Sequence, residues 1–199
     1  MCPGGHVVAA ASEEGRIVTN GMSYADRDGE NANAALLVTI NPADFPYEGT
    51  LGGVKWQREI EEKAYNLSGS YRAPAQLVGD FLDGKASTGA GSVEPTYRPG
   101  VTWCDLHEVL PEKITASIAE ALPKLDEKLK GFAALDAVMT APETRSSSPV
   151  RIIRNDTRQS SLQGLYPTGE GAGYAGGIMS AAIDGMMTAE AILGVSYDR

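Results

Sequence analysis

Apolar residues change their spacing three times along this chain, and each change predicts a different kind of element. Short apolar runs at 6–11 (His-Val-Val-Ala-Ala-Ala) and 16–19 (Arg-Ile-Val-Thr) flank Glu13-Glu14-Gly15, which predicts two strands around a hairpin turn. Asn20-Gly21 follows as a second turn signal. The polar stretch Tyr24 to Asn33 reads as loop, Ala35 to Ile40 as a buried strand, and Pro42, Pro46 and Gly49 as loop again. From Val54 the spacing becomes helical. Trp56, Ile60 and Ala64 share one face, and Glu59 and Lys63 form an i,i+4 pair on another. Pro74 is placed to open a helix carrying Leu77, Val78, Phe81 and Leu82. Gly84 to Gly100 is rich in Gly, Ser, Thr and Pro and reads as a mobile loop. Pro111 predicts a helix start with Ile114, Ile118 and Leu122 on one side. Pro123 is expected to break that helix and to start another through Leu125 and Leu129. Residues 136–140 and 150–154 read as strands.

The C-terminal stretch carries the most chemistry. Residues 164–168 predict a strand, Gly169 to Gly173 a turn, and the following residues a helix to about Ile192. Glycines at 169, 171, 173, 176 and 177 allow a phosphate or a flat ring to approach the backbone. The free N–H groups of the next helix favour an anion or an electron-rich ligand atom. Ile178, Ala182, Gly185, Ala189 and Ile192 form a small, apolar helix face suited to close packing on a sheet. The pattern is that of a dinucleotide-binding strand–turn–helix. The fold class expected is α+β, with strands of a cofactor domain at 1–40, a mostly helical insertion at 41–135, and strands plus the glycine motif at 136–199.

Composition narrows the function. A net charge of −9 argues against nucleic acid or anionic membrane as a partner. The 42% hydrophobic share is that of an ordinary globular chain. Cys2 and Cys104 form no C-x-x-C pair, which gives no disulfide framework and no zinc motif. Asp105, His107 and Glu108 could ligate a metal, but no closing ligand motif follows; a solvated loop or helix start is the expected role, with no metal bound. There is neither a signal-peptide pattern nor an apolar run of membrane-spanning length, so a cytoplasmic location is expected.

The run Gly169-Glu-Gly-Ala-Gly-Tyr-Ala-Gly-Gly-Ile resembles the second flavin-contacting motif of FAD-dependent oxidoreductases. Four other segments extend the likeness: Met1-Cys-Pro-Gly-Gly-His-Val-Val, Val18-Thr-Asn-Gly-Met-Ser-Tyr, Asn31-Ala-Asn-Ala-Ala-Leu-Leu-Val and Glu143-Thr-Arg-Ser-Ser-Ser-Pro-Val-Arg-Ile. Together they resemble the C-terminal region of a family of bacterial FAD-dependent dehydrogenases. The resemblance implies FAD contacts at Gly169, Glu170, Gly171, Ala172, Gly173, Tyr174, Gly176 and Gly177. It also implies flavin- or substrate-proximal roles for Cys2, Gly4, Gly5, Arg145 and Ser146. Blander roles compete with these. Glu170 suits a helix N-terminus on its charge alone, Cys2 suits a small buried hydrophobe, His6 has no paired carboxylate in sequence, and 143–149 suits a polar turn.

Members of that family carry a Gly-x-Gly-x-x-Gly unit for the ADP half of FAD, and this sequence does not. Met1 to Val8 already matches an internal family segment. The chain is therefore expected to be a C-terminal fragment or truncated product, inactive alone and not retaining FAD. Its expected partners are the missing N-terminal FAD-binding domain and an unidentified small-molecule substrate. The alternative is a non-catalytic binding module that folds without flavin. A phosphate-binding loop is disfavoured, because no Gly-Lys-Ser/Thr follows the glycines.

Overall fold

The structure, a computed structural model, describes residues 4–195. It is α+β and divides into two compact units, Met1–Asp44 with Gln57–Thr144, and Phe45–Trp56 with Arg145–Arg199.

The first unit holds both sheets. Strands β1 (Gly5–Ala9) and β2 (Thr19–Ser23) pair antiparallel, with Gly5 opposite Ser23 and Ala9 opposite Thr19. The hairpin turns at Glu13–Gly15, as the apolar runs predict, and Gly15 takes φ +68° there. Asn20-Gly21 is not a turn but lies inside β2. Gly21 is needed for close approach instead, since a Cβ there would sit 3.0 Å from the Asn33 amide nitrogen. Ala35 to Ile40 pairs with no strand, although Leu36 and Val38 still pack inward against the core.

Helix α1 (Gly52–Ser68) follows its predicted faces: Ile60 and Ala64 are buried, and Glu59 pairs with Lys63 at 3.1 Å. Pro74 starts no helix. It is the second residue of β3 (Ala73–Leu77), the middle strand of a three-stranded sheet ordered β4-β3-β5, with β4 at Val101–Trp103 and β5 at Val138–Thr140. A proline in a central strand forfeits a ladder donor. Here the loss is avoided because the antiparallel ladder to β5 begins one residue later, at Ala75 opposite Thr140. Pro74 contributes only its carbonyl, which accepts from the Ala141 N–H at 3.0 Å. Only the short α2 (Val78–Leu82) follows β3. Strand β3 lies within 41–135 and pairs with β5 beyond it, so sheet and helices of this unit share one core. Phe81, Leu106, Ile118 and Leu122 occupy its centre.

The glycine-rich segment 84–100 has no helix or strand but is fastened along its length. Ser87 Oγ accepts from the Leu77 N–H and donates to Asp80, while Thr96 Oγ1 accepts from the Val7 N–H at 2.8 Å. The fully buried Gln76 is satisfied too, accepting from the Leu106 N–H and donating to the Lys85 carbonyl.

Helix α3 (Glu112–Lys128) opens after Pro111 as predicted, but Pro123 does not break it. The ring is exposed, and burial of Ile118 and Leu122 holds the helix through the position where the Ala119 carbonyl loses its donor. Pro123→Ala should therefore stabilise the chain by about 1–2 kcal/mol, once the loss of proline's restraint on the unfolded chain is set against the regained hydrogen bond. A denaturation midpoint unchanged or lowered by the substitution would contradict this.

The second unit contains the first turn of α1, the irregular segment 145–177 and helix α4 (Ile178–Leu193). Gly53 permits the Phe45 ring and Pro149 to close in, since a Cβ there would lie within 3 Å of both. The expected strands at 150–154 and 164–168 are absent. In place of a ladder, the Ile152 N–H donates to the Ala172 carbonyl, and the Pro167 carbonyl accepts from the Arg154 side chain at 2.7 Å.

Candidate functional site

Within the second unit, the glycine turn is a closed, hydrogen-bonded structure at the predicted position. Gly169 and Gly173 adopt φ +76° and +81°, conformations that favour glycine. The Gly173 N–H donates to the Glu170 carbonyl at 2.9 Å and the Tyr174 N–H to the Gly169 carbonyl at 3.0 Å. Two serines of the 146–148 segment lie beside this turn. Ser148 Oγ donates to the Gly171 carbonyl at 3.2 Å, and Ser147 Oγ stands close to Gly176. Ser146 Oγ is buried and has no hydrogen-bond partner among the described residues.

What holds the turn to α4 was not visible in the sequence. Asp184 is the one carboxylate in the middle of an apolar helix. It accepts a bidentate pair from Arg154, at 2.9 and 2.6 Å, and a further bond from Arg158 at 2.7 Å. Its Oδ2 also accepts from the Gly169 N–H at 2.9 Å, so one carboxylate pins the entry to the turn. The Arg154 hydrogen bonds, with help from Gly169 and Arg158, outweigh burial and hold the Asp184 pKa well below the usual carboxylate range. Tyr174 completes the arrangement. Its ring face lies 3.6 Å from the Arg154 guanidinium carbon, and its hydroxyl accepts from the Arg154 N–H. Thr188 donates to the Asp184 carbonyl and lies 3.0 Å from the Thr168 hydroxyl. An acid in the middle of an apolar helix, with two arginines upstream, was the available signal.

The turn divides into a packed side and an open side. Gly173 is packed: a Cβ would meet the Val150 carbonyl oxygen at 2.4 Å. Ala172 is buried as well. Gly171 is open, with nothing within 4 Å of an added Cβ. The start of α4 is open too, since Gly177 makes no side-chain cap and Ile178 is 90% exposed. Uncapped N–H groups suit an anionic or electron-rich ligand edge, and the open backbone at Gly171 admits a flat ring, so the residues present fit a flavin nucleotide.

The other candidates lie in the first unit. Cys2 falls outside the described residues. Gly4 and Gly5 are accounted for by internal packing, because a Cβ on Gly4 would strike the Arg27 backbone and one on Gly5 the Asn33 nitrogen at 2.5 Å. His6 packs edge-on to Tyr24 and lines an open cleft with Asp28, Glu30, Glu94 and Arg98. Asp105 caps the short 3-10 turn Leu106–Glu108 by accepting from the His107 N–H, and the His107 ring stacks on Phe81. Cys104 is buried, which pushes its thiol up to about 11. In the second unit Arg145 is exposed, and Arg151 donates to the Gly173 carbonyl at 2.9 Å. Among the described residues, no helix is long and apolar enough to cross a membrane.

Residues 1–146 match the family described as FAD-dependent protein, C-terminal domain-like. The chain belongs to this family. A protein from Clostridium beijerinckii, named only as uncharacterized, is 52% identical over 195 residues. The alignment takes in 97% of this chain and 37% of that relative, so the chain spans little more than a third of the relative's length. The family match stops at Ser146, before the glycine turn and α4. Family membership and turn geometry are thus two separate observations, one on each side of that point.

Proposed function

We propose that this chain is the C-terminal part of a longer FAD-dependent oxidoreductase, and that the open side of its glycine turn receives the flavin. Membership of a FAD-dependent family carries the cofactor, and the open turn supports its location. When bound, the flavin would accept or donate a hydride with a small-molecule substrate. The chain's own residues would position it. The uncapped start of α4 would meet an electron-rich edge of the flavin, Gly171 would let the ligand approach the backbone, and Asp184 with Arg154 would keep the turn in register. Glu170 and the Ser147 hydroxyl, which stands close to Gly176, would add polar groups beside the ligand.

Two outcomes test the reading. The 199-residue chain alone should purify colourless, because the ADP half of FAD would lie on the Gly-x-Gly-x-x-Gly unit that this sequence lacks. Each 1.4 kcal/mol is about tenfold in affinity, so losing several takes a nanomolar site to micromolar or weaker. In the full-length protein, Gly171→Val should lower bound flavin by roughly tenfold or more while leaving the circular dichroism spectrum intact. Full flavin occupancy in that variant removes Gly171 from the site. A yellow, stoichiometrically loaded 199-residue chain removes the need for a separate ADP-binding unit.

A further inference from the structure

The first unit carries a cleft of about 390 Å³ between the loop at 28–31 and the segment at 94–98, the size of a small-molecule site. Its walls are fastened in place. The Asn31 side chain donates to the Glu94 carbonyl at 2.9 Å, the Gly5 N–H to the Asn31 carbonyl at 2.6 Å, and the Val7 N–H to Thr96 Oγ1. Asp28, Glu30 and Glu94 line this cleft together with Arg98. None of these four charged side chains is in an ion pair among the described residues, whereas Glu13, Glu59 and Glu120 elsewhere in the unit are each bound by a lysine or an arginine. Three carboxylates against one guanidinium leave two negative charges unbalanced. Tyr97 is a second, separate sign of a ligand. It lines this cleft and a neighbouring one, is only 4% exposed, and its hydroxyl makes no hydrogen bond among the described residues. The oxygen is not sealed in the interior, so it faces the open space that Tyr97 lines, without the partner that such a group normally has.

A metal ion is the wrong match, because among the described residues no three His, Cys, Asp or Glu side chains come close enough to share one. The carboxylates are therefore spread along the cleft, and a matching ligand carries positive charges that are spread as well. An anion would meet two unbalanced negative charges. We propose that this cleft binds a short aliphatic diamine, whose two ammonium groups engage the carboxylates and the Tyr97 hydroxyl while Pro95 meets its methylenes. Each ammonium brings three N–H donors and no acceptor, which suits a lining of acceptors. With the walls already tied together, little ordering cost opposes binding. The inference rests on the first unit alone and is independent of flavin and of the glycine turn.

The test titrates the 199-residue chain with 1,4-diaminobutane at low ionic strength and follows backbone amide shifts by heteronuclear NMR. Shifts within 28–31 and 94–98 should saturate together, with a Kd of about 1 mM or tighter. Butylamine, with the same carbon chain and a single charge, should bind at least about tenfold more weakly. Glu94→Gln should weaken the diamine about three- to tenfold. Tyr97→Phe, which keeps the ring and removes the hydroxyl, should weaken it about threefold or more. Glu120→Gln, at an exposed acid outside the cleft, should leave the affinity unchanged. Equal losses in Glu94→Gln and Glu120→Gln would reduce the effect to diffuse attraction by an acidic chain, and so overturn the proposal. It is overturned as well if butylamine matches the diamine, if magnesium ion at equal concentration displaces it, or if no shift saturates by about 20 mM.

Discussion

Asp184→Ala should unfold the second unit well before the first. Arg154 and Arg158 have side chains only 9 and 16% exposed, and the substitution would leave both cations without their shared carboxylate. It would also strip the Gly169 N–H of its acceptor. Removing one partner of a buried ion pair costs about 3–5 kcal/mol, because the stranded charge remains desolvated. Truncating the exposed Lys124–Glu120 pair, by contrast, should cost far less, because solvent screens both charges. Limited proteolysis read by mass spectrometry would distinguish them, with cuts in 145–177 appearing early only in Asp184→Ala. The same carboxylate sets a pH dependence. Its folded pKa is depressed, chiefly by Arg154, so its stabilisation is complete above the unfolded carboxylate pKa of about 3.9. It is lost as pH falls below that value toward the folded one. The acid-side loss of stability should therefore be shallower in Asp184→Ala than in the parent. Equal slopes would mean that Asp184 is not the titrating group.

Gly173→Val should damage folding, whereas Gly171→Val should not. At Gly173 the backbone has φ +81°, which costs a side chain about 1–2 kcal/mol. The Val150 carbonyl 2.4 Å from the added Cβ contributes an overpacking cost of about 1–3 kcal/mol. The sum of about 2–5 kcal/mol should appear as a lower denaturation midpoint in the isolated chain. Gly171→Val, on an exposed backbone with empty space around the Cβ, should stay within about 0.5 kcal/mol. Flavin lost on changing Gly173 would therefore report on the fold, and only Gly171 reports on the ligand. Equal midpoints for the two variants would refute this division of the turn.

The elements legible in the sequence were those whose signal is local. The hairpin around Gly15, the faces of α1 and α3, and the turn and helix at 169–193 all follow from spacing and nearby glycines. The misreadings share a different cause, which is that a residue's role was set by a distant partner. Gly21 answers to Asn33 and not to a turn. Pro74 is tolerated in a strand because β5 arrives one residue later, and Pro123 because Ile118 and Leu122 are buried. Residues 150–154 and 164–168 have the composition of strands but no neighbouring strand to pair with, so an arginine and single backbone contacts take over their hydrogen bonds. The small, apolar face of α4 was legible, but among the described residues of its own unit there is no strand to receive it. At the candidate site, glycine spacing located the turn, while the Asp184–Arg154–Arg158 cluster joins positions up to 30 residues apart and carries no local pattern.

The chain also leaves the second unit and returns to it. Phe45–Trp56 belongs with Arg145–Arg199, and the 88 residues between them join Met1–Asp44 in the other unit. During synthesis at about 5–20 residues per second, Phe45 and Trp56 would leave the ribosome roughly 4–20 s before Arg145. Over that interval their rings have no completed partner surface, while most of the sheet-bearing unit already has its sequence available. The second unit is therefore the last to close in the cell, and a nascent chain stalled between 57 and 144 would present those aromatics to chaperones.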